Sequence, residues 1–133
     1  MFSTTRRIEF GMCDAAGILF FAKIFELSHS AYEEFILKSN LKLNVFDNNE
    51  FAVPIICSSS EYHNPIKLHE EIIVELNVTK IGRTSFELTA NFFDAESKLK
   101  ATVKTTHVFV SKSNFEKAEI PKEFLTFLGL NKV

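Results

Sequence analysis

The sequence contains no tryptophan, two tyrosines and two cysteines among 133 residues. Two thiols, Cys13 and Cys57, are too few for a disulfide scaffold, and their spacing matches no zinc motif. They point to a reducing, cytoplasmic setting. Charge of one sign is not in excess either: 15 Lys+Arg stand against 17 Asp+Glu, a net charge of -2. Without a basic surplus there is little to neutralise a row of phosphates, so nucleic-acid binding is not expected. No run of four like charges offers a polybasic membrane patch. Long hydrophobic runs are absent too. The apolar stretch from Ala15 stops at Lys23, far short of the ~20 residues of a membrane-spanning helix, and no secretory signal is visible. A soluble, cytoplasmic chain is the expectation.

What the chain does have is phenylalanine, 15 of them, in a composition that is 46% hydrophobic and 24% charged. Such a balance predicts one globular domain over residues 1–133. Fifteen rings imply either a Phe-packed core or a further buried apolar surface.

The periodicity supplies an order of elements. Thr4, Thr5, Ile8 and Phe10 suit a first strand over 3–10. From Phe21 to Ser39 the pattern becomes helical. Ile24, Ala31 and Phe35 form a stripe beside Phe25, Tyr32 and Ile36, with Lys23, Glu26, Ser30, Glu33, Glu34 and Lys38 on the other face. Strand patterns then cover 51–62, 70–81, 84–94 and 99–111. Pro121 to Gly129 reads as a short terminal helix. One strand, one long helix and four further long strands predict an α+β fold, its mainly antiparallel sheet of about five strands curling around the helix.

Three aspartates occur, and two of them, Asp47 and Asp94, lie in polar turns. Asp14 lies in an apolar, glycine-flanked loop just before the long helix. It reads as a turn or cap residue, or as a partly desolvated carboxylate near a helix N-terminus. The run FGMCDAAGILFFAKIFELSHSAYEEFI resembles the signature of the 4-hydroxybenzoyl-CoA thioesterase family of hotdog-fold proteins. Asp14, Ala15, Ala16, Gly17, Phe20 and Phe21 are the matching positions. The segment EYHNPIKLHEEIIVELNVTKIGRTSFEL resembles the family's second and third strands, so the likeness spans the chain. Within the family, Asp-Ala-Ala-Gly and His29-Ser30-Ala31-Tyr32-Glu33 look closest to the 1,4-dihydroxy-2-naphthoyl-CoA thioesterases of quinone biosynthesis. The family often has a polar residue where Met12 stands, and usually Gly-Asp where this chain has His69-Glu70.

The resemblance implies a hotdog domain that hydrolyses a CoA thioester without metal or organic cofactor. It implies Asp14 as nucleophile or general base, and the backbone N–H of Phe21 as oxyanion donor. A thiolate with a pKa near ~8.5 leaves easily, so no Ser-His-Asp set is required. Gly17, Phe20, His29, Ser58 and Glu61 are candidate substrate contacts. Each has a plainer alternative: a core histidine for His29, a polar strand segment for Ser58, a solvent-facing strand residue for Glu61. Arg83 is either a contact to CoA phosphates or a solvated turn residue. His107 reads as structural, and His63 and His69 as surface residues. The four histidines show no paired metal-ligand spacing, so no metal site is expected. Acyl-CoA is the implied partner, and a homo-oligomer, at least a dimer and often a tetramer, the implied assembly. The rivals are a general or aliphatic acyl-CoA thioesterase, a hotdog hydratase, and a non-catalytic module that holds an apolar ligand.

Overall fold

Alternation along three long strands decides which face of the sheet is covered. In the computed structural model, which describes residues 1–133, β4 (Glu71–Ile81) buries Ile72, Val74, Leu76 and Val78. Its neighbour β5 (Ser85–Phe93) buries Phe86, Leu88, Ala90 and Phe92 at facing positions. β6 (Leu99–Val108) adds Ala101, Val103, Thr105 and His107. Successive side chains point to opposite faces of a strand, so these residues form one continuous concave face. The flanking strands are β1 (Phe2–Arg7), which pairs with β4, and β3 (Ile55–Tyr62), which pairs with β6. All pairings are antiparallel, in the order β1-β4-β5-β6-β3.

Helix α1 (Lys23–Leu37) lies across that face and buries Ile24, Leu27, Ser28, Ala31, Tyr32, Phe35 and Ile36. These residues recur every three or four positions and form the apolar stripe expected of an amphipathic helix. Helix α2 (Lys122–Leu130) closes one end of the core with Phe124 and Leu128. Phe124 packs on Phe86 and Phe109 at ring separations of 5.4 and 5.3 Å.

Four boundaries differ from the periodicity. The predicted strand over 51–62 divides at Val53-Pro54. Proline has no N–H for a ladder, and the short β2 (Phe51–Ala52) leaves the main sheet to pair with β7 (Val110–Ser111). The predicted last strand divides likewise, at Phe109. The first strand ends at Arg7, and Phe10–Met12 is a 3-10 turn with Phe10 80% exposed rather than pleated inward. The long helix begins at Lys23, because Phe20 to Ala22 form a turn before it.

His69 has φ 67°, the left-handed region that glycine occupies most easily. It stands where the family usually has the glycine of Gly-Asp. Its N–H donates to Ile8 O at 2.8 Å, and the next residue's N–H closes a turn on Lys67 O at 3.1 Å. His69→Gly is expected to raise unfolding stability by up to about 1 kcal/mol, read from urea unfolding curves. An unchanged or lower midpoint would show that the histidine bears no strain.

Candidate active site

Asp14 opens a tight loop that returns on itself. Its N–H donates to Ile18 O at 2.9 Å, its carbonyl accepts Gly17 N–H at 3.0 Å, and Cys13 bridges to Leu19. Gly17 has φ 77°, which the reversal requires and which other residues rarely adopt. Asp14 Oδ1 accepts Ala16 N–H at 2.8 Å, so the side chain does form a turn. Its other oxygen has no partner within the chain, and Asp14 is exposed. The turn reading holds, and within one chain the carboxylate is exposed rather than partly desolvated: one oxygen holds the loop and the other is free.

The loop faces a cavity of about 440 Å³ lined by Asp14, Ile18 to Phe21, and Tyr62 to Ile66. The start of α1 contributes its backbone. Phe20 O accepts Lys23 N–H at 2.9 Å and so points along the helix. In a trans peptide the following N–H, that of Phe21, points the opposite way. The Phe21 N–H donates to no group of the chain. The N-cap position is Ala22, which has no side-chain oxygen to satisfy the first donors. Tyr62 Oη donates to Phe21 O and ties the turn to β3. Asp14, with a free carboxylate oxygen, and Phe21, with a free N–H at a positive helix end, thus line one cavity.

A second cleft, of about 580 Å³, lies under α1 and contains His29, Ser58, Tyr32, Thr105 and His107. His107 is 1% exposed, stacks on Phe86 at 4.8 Å and shares a hydrogen bond with Thr105 Oγ1 at 2.9 Å. Burial, with a smaller contribution from nearby His29, lowers its pKa to about 4. Tyr32 is buried between the His29 and His107 rings, at 5.8 and 4.7 Å, and burial raises its phenol well above the usual range. It is therefore a neutral donor at ordinary pH.

The predicted residues fall into separate groups. Asp14, Phe20 and Phe21 line the first cavity, and Gly17 shapes its loop. His29 and Ser58 line the second cleft. Glu61 pairs with Thr102 on the opposite face of the sheet from Ser58 and lines neither. Arg83 lies in the β4–β5 turn, where it pairs with Glu119 at 3.1 Å. The 11 residues of β4 put it roughly 30 Å or more along the strand from the Asp14 end. Tyr62 and His63 carry no motif that marks them as site residues. They line the Asp14 cavity only because β3 ends beside the start of α1.

Residues 8–128 match the thioesterase-like superfamily. A 1,4-dihydroxy-2-naphthoyl-CoA hydrolase from Nostoc punctiforme is 32% identical over 132 residues, covering 98% of this chain and 88% of the relative. The chain belongs to the thioesterase-like superfamily. A hydrolase of the same description from Trichodesmium erythraeum is 29% identical, covering 92% of this chain and 91% of the relative. The crystal structure of a 1,4-dihydroxy-2-naphthoyl-CoA thioesterase from Synechocystis superposes with TM-score 0.89 at 25% identity, covering 96% and 95% of the two chains. The fold is thus the hotdog fold, and this thioesterase hydrolyses an acyl-CoA thioester.

The neutral His107 gives the hotdog core a pH dependence. Its folded pKa is depressed, so the unfolded chain binds a proton first on acidification. Its contribution is complete above the ordinary value of 6.5 and is lost as pH falls towards 4. The loss amounts to up to about 3 kcal/mol. Urea unfolding at pH 7 and pH 4.5 should show a clearly smaller pH dependence in His107→Asn. Equal slopes in both proteins would remove His107 as the cause.

Proposed function

We propose that this thioesterase hydrolyses 1,4-dihydroxy-2-naphthoyl-CoA, with Asp14 as the reacting carboxylate and the Phe21 N–H as oxyanion donor. The observation that carries this reading is that Asp14, with one unpartnered oxygen, and Phe21, with an unbonded N–H, line one cavity. The thioester carbonyl oxygen lies against the Phe21 N–H, which gains strength as negative charge develops there. The free carboxylate oxygen attacks the carbonyl carbon, or removes a proton from a water that attacks it. In either route the C–S bond breaks and CoA leaves as the thiolate. In the first route water then cleaves the acyl-aspartyl anhydride and restores Asp14. The names of the relatives support the naphthoyl group. The ring-lined second cleft also suits a flat hydroxylated ring, with Tyr32 and His29 able to meet hydroxyls.

The working unit in this reading is a dimer through β3. That strand is the last in the sheet and has a bare edge, with Ile55 and Ile56 40% and 60% exposed. Such an edge is a template for pairing. The Ile55 end of β3 borders the His29 cleft, and the Tyr62 end borders the Asp14 cavity. Antiparallel pairing of two copies lays one end against the other, so each Asp14 cavity adjoins the second copy's ring-lined cleft. The second copy's Arg83 turn then comes to the same end of the combined sheet, a few strands away, where it could meet CoA phosphates. In this reading Gly17 and Phe20 shape the acyl entrance and Ser58 lies at the junction.

Asp14→Asn should lower turnover at least 100-fold in a thiol-release assay over aromatic and aliphatic acyl-CoAs, with the unfolding midpoint retained. Near-normal hydrolysis of the best substrate would remove Asp14 from the reaction, and a preference for aliphatic acyl groups would remove the naphthoyl assignment. Ile56→Lys, on the bare edge, should shift the mass seen by light scattering to one chain and cost most of the activity. An active monomer would overturn the shared site.

A further inference from the structure

Lys100 is the one lysine or arginine buried in the chain, at 7% exposure, and its ammonium reaches the carbonyl of Pro65, which lines the Asp14 cavity. Taking an ammonium out of water costs several kcal/mol unless acceptors surround it. Its Nζ donates to Pro65 O at 2.9 Å and to Glu70 Oε1 at 3.4 Å, and lies 3.8 Å from Asp94 Oδ2. Apolar side chains of similar volume in place of the whole ion pair are often as stable, so stability is a weak reason for a charge here.

The contacts show what the charge holds. The Lys100 carbonyl accepts the N–H groups of His63 and Asn64 at 2.8 and 3.1 Å, and Asn64 Nδ2 donates to Leu99 O at 2.8 Å. With a side-chain contact from His63 Nε2 to Thr102 Oγ1 at 3.4 Å, strand β6 grips residues 63–65 at five points, and these residues line the cavity. The other side of the same segment holds the Asp14 loop. Leu19 N–H donates to Ile66 O at 2.7 Å, and Leu68 N–H donates to Gly17 O at 3.1 Å. Glu70 Oε1 also accepts Lys67 N–H at 2.7 Å, which closes the turn opposite Ile18. The carbonyl fixed by Lys100 and the carbonyl that fixes Leu19 belong to consecutive residues, Pro65 and Ile66.

We propose that the pair formed by buried Lys100 and half-buried Glu70 is a positioning device. It acts through the segment from Pro65 to Lys67 to hold the Asp14 loop in register with the start of α1. This rests on the reading of Asp14 as the reacting group. Asp94 serves as the internal control. It touches the same ammonium, but its carboxylate closes the β5–β6 turn through the N–H groups of Glu96 and Lys98, away from the cavity.

The test measures kcat and KM for 1,4-dihydroxy-2-naphthoyl-CoA and for benzoyl-CoA, well below the unfolding temperature, with amide hydrogen exchange on the same proteins. Lys100→Met should lower kcat about 10- to 100-fold, the range that small misplacements of reacting groups produce, with KM within about threefold. Exchange at the Leu19 and Leu68 amides should quicken. If Lys100→Met does not fold, Glu70→Gln, which keeps size and an acceptor, should show the same split in milder form. Asp94→Asn should lower the unfolding midpoint and leave kcat unchanged. Full kcat in folded Lys100→Met, or equal losses of kcat in Lys100→Met and Asp94→Asn, would overturn the proposal. Asp14→Asn is assayed alongside. If it is inactive while Lys100→Met is fully active, only the positioning role fails. If it is active, the Asp14 reading fails instead.

Discussion

The uncapped start of α1 is the constraint from which the site follows. Most helices place a Ser, Thr, Asp or Asn at the N-cap, and losing such a cap costs about 1 kcal/mol. Here Ala22 occupies the position, and the turn before it is held by main-chain bonds and by Tyr62. The helix tolerates this because its stripe from Ile24 to Ile36 is buried against three strands. Tertiary packing supplies the stability that a cap would have added locally, and the free donors are left for a ligand.

The loop that carries Asp14 is built on the same economy. Its carboxylate spends one oxygen on Ala16 N–H, and Gly17 takes the left-handed conformation that lets the chain return. The supports behind it are less comfortable. His69 sits where a glycine would be easier, and a lysine is buried beside Pro65. His69 lies within the segment that joins β3 to β4 and Lys100 reaches into it from β6, and this segment borders the cavity through His63 to Ile66. Departures from the most stable local choice therefore cluster around the candidate site, as is common where geometry matters more than stability.

The phenylalanines are divided between two tasks. Phe86, Phe92, Phe109 and Phe124 are fully buried and fill the space between the sheet and the two helices. Phe20 and Phe21 line the Asp14 cavity and are exposed at 42% and 63%, and Phe10, in the 3-10 turn before the Asp14 loop, is exposed at 80%. A single chain gains nothing by leaving three rings in water. Their exposure agrees with a site completed by an acyl group or by a second copy, as the bare edge of β3 does.

Much of this was legible in the amino-acid order. The period of 3.6 in α1 and the period of two in β4, β5 and β6 are local patterns, and they placed the helix, the strands and the buried face. The motif around Asp14 marked the loop and the family. What stayed hidden depends on contacts between residues far apart in the chain. Pro54 splits a strand because β2 finds a separate partner in β7. Tyr62 and His63 reach the cavity because β3 pairs with β6 and ends beside α1. His29 and Ser58 sit in a different cleft from Asp14, while Glu61 falls on the far face of its strand, since the register of β3 against β6 assigns alternate residues to opposite sides. Local periodicity determined which elements form and what each buries. Strand order and register, set by the burial of the whole concave face at once, decided which side chains meet.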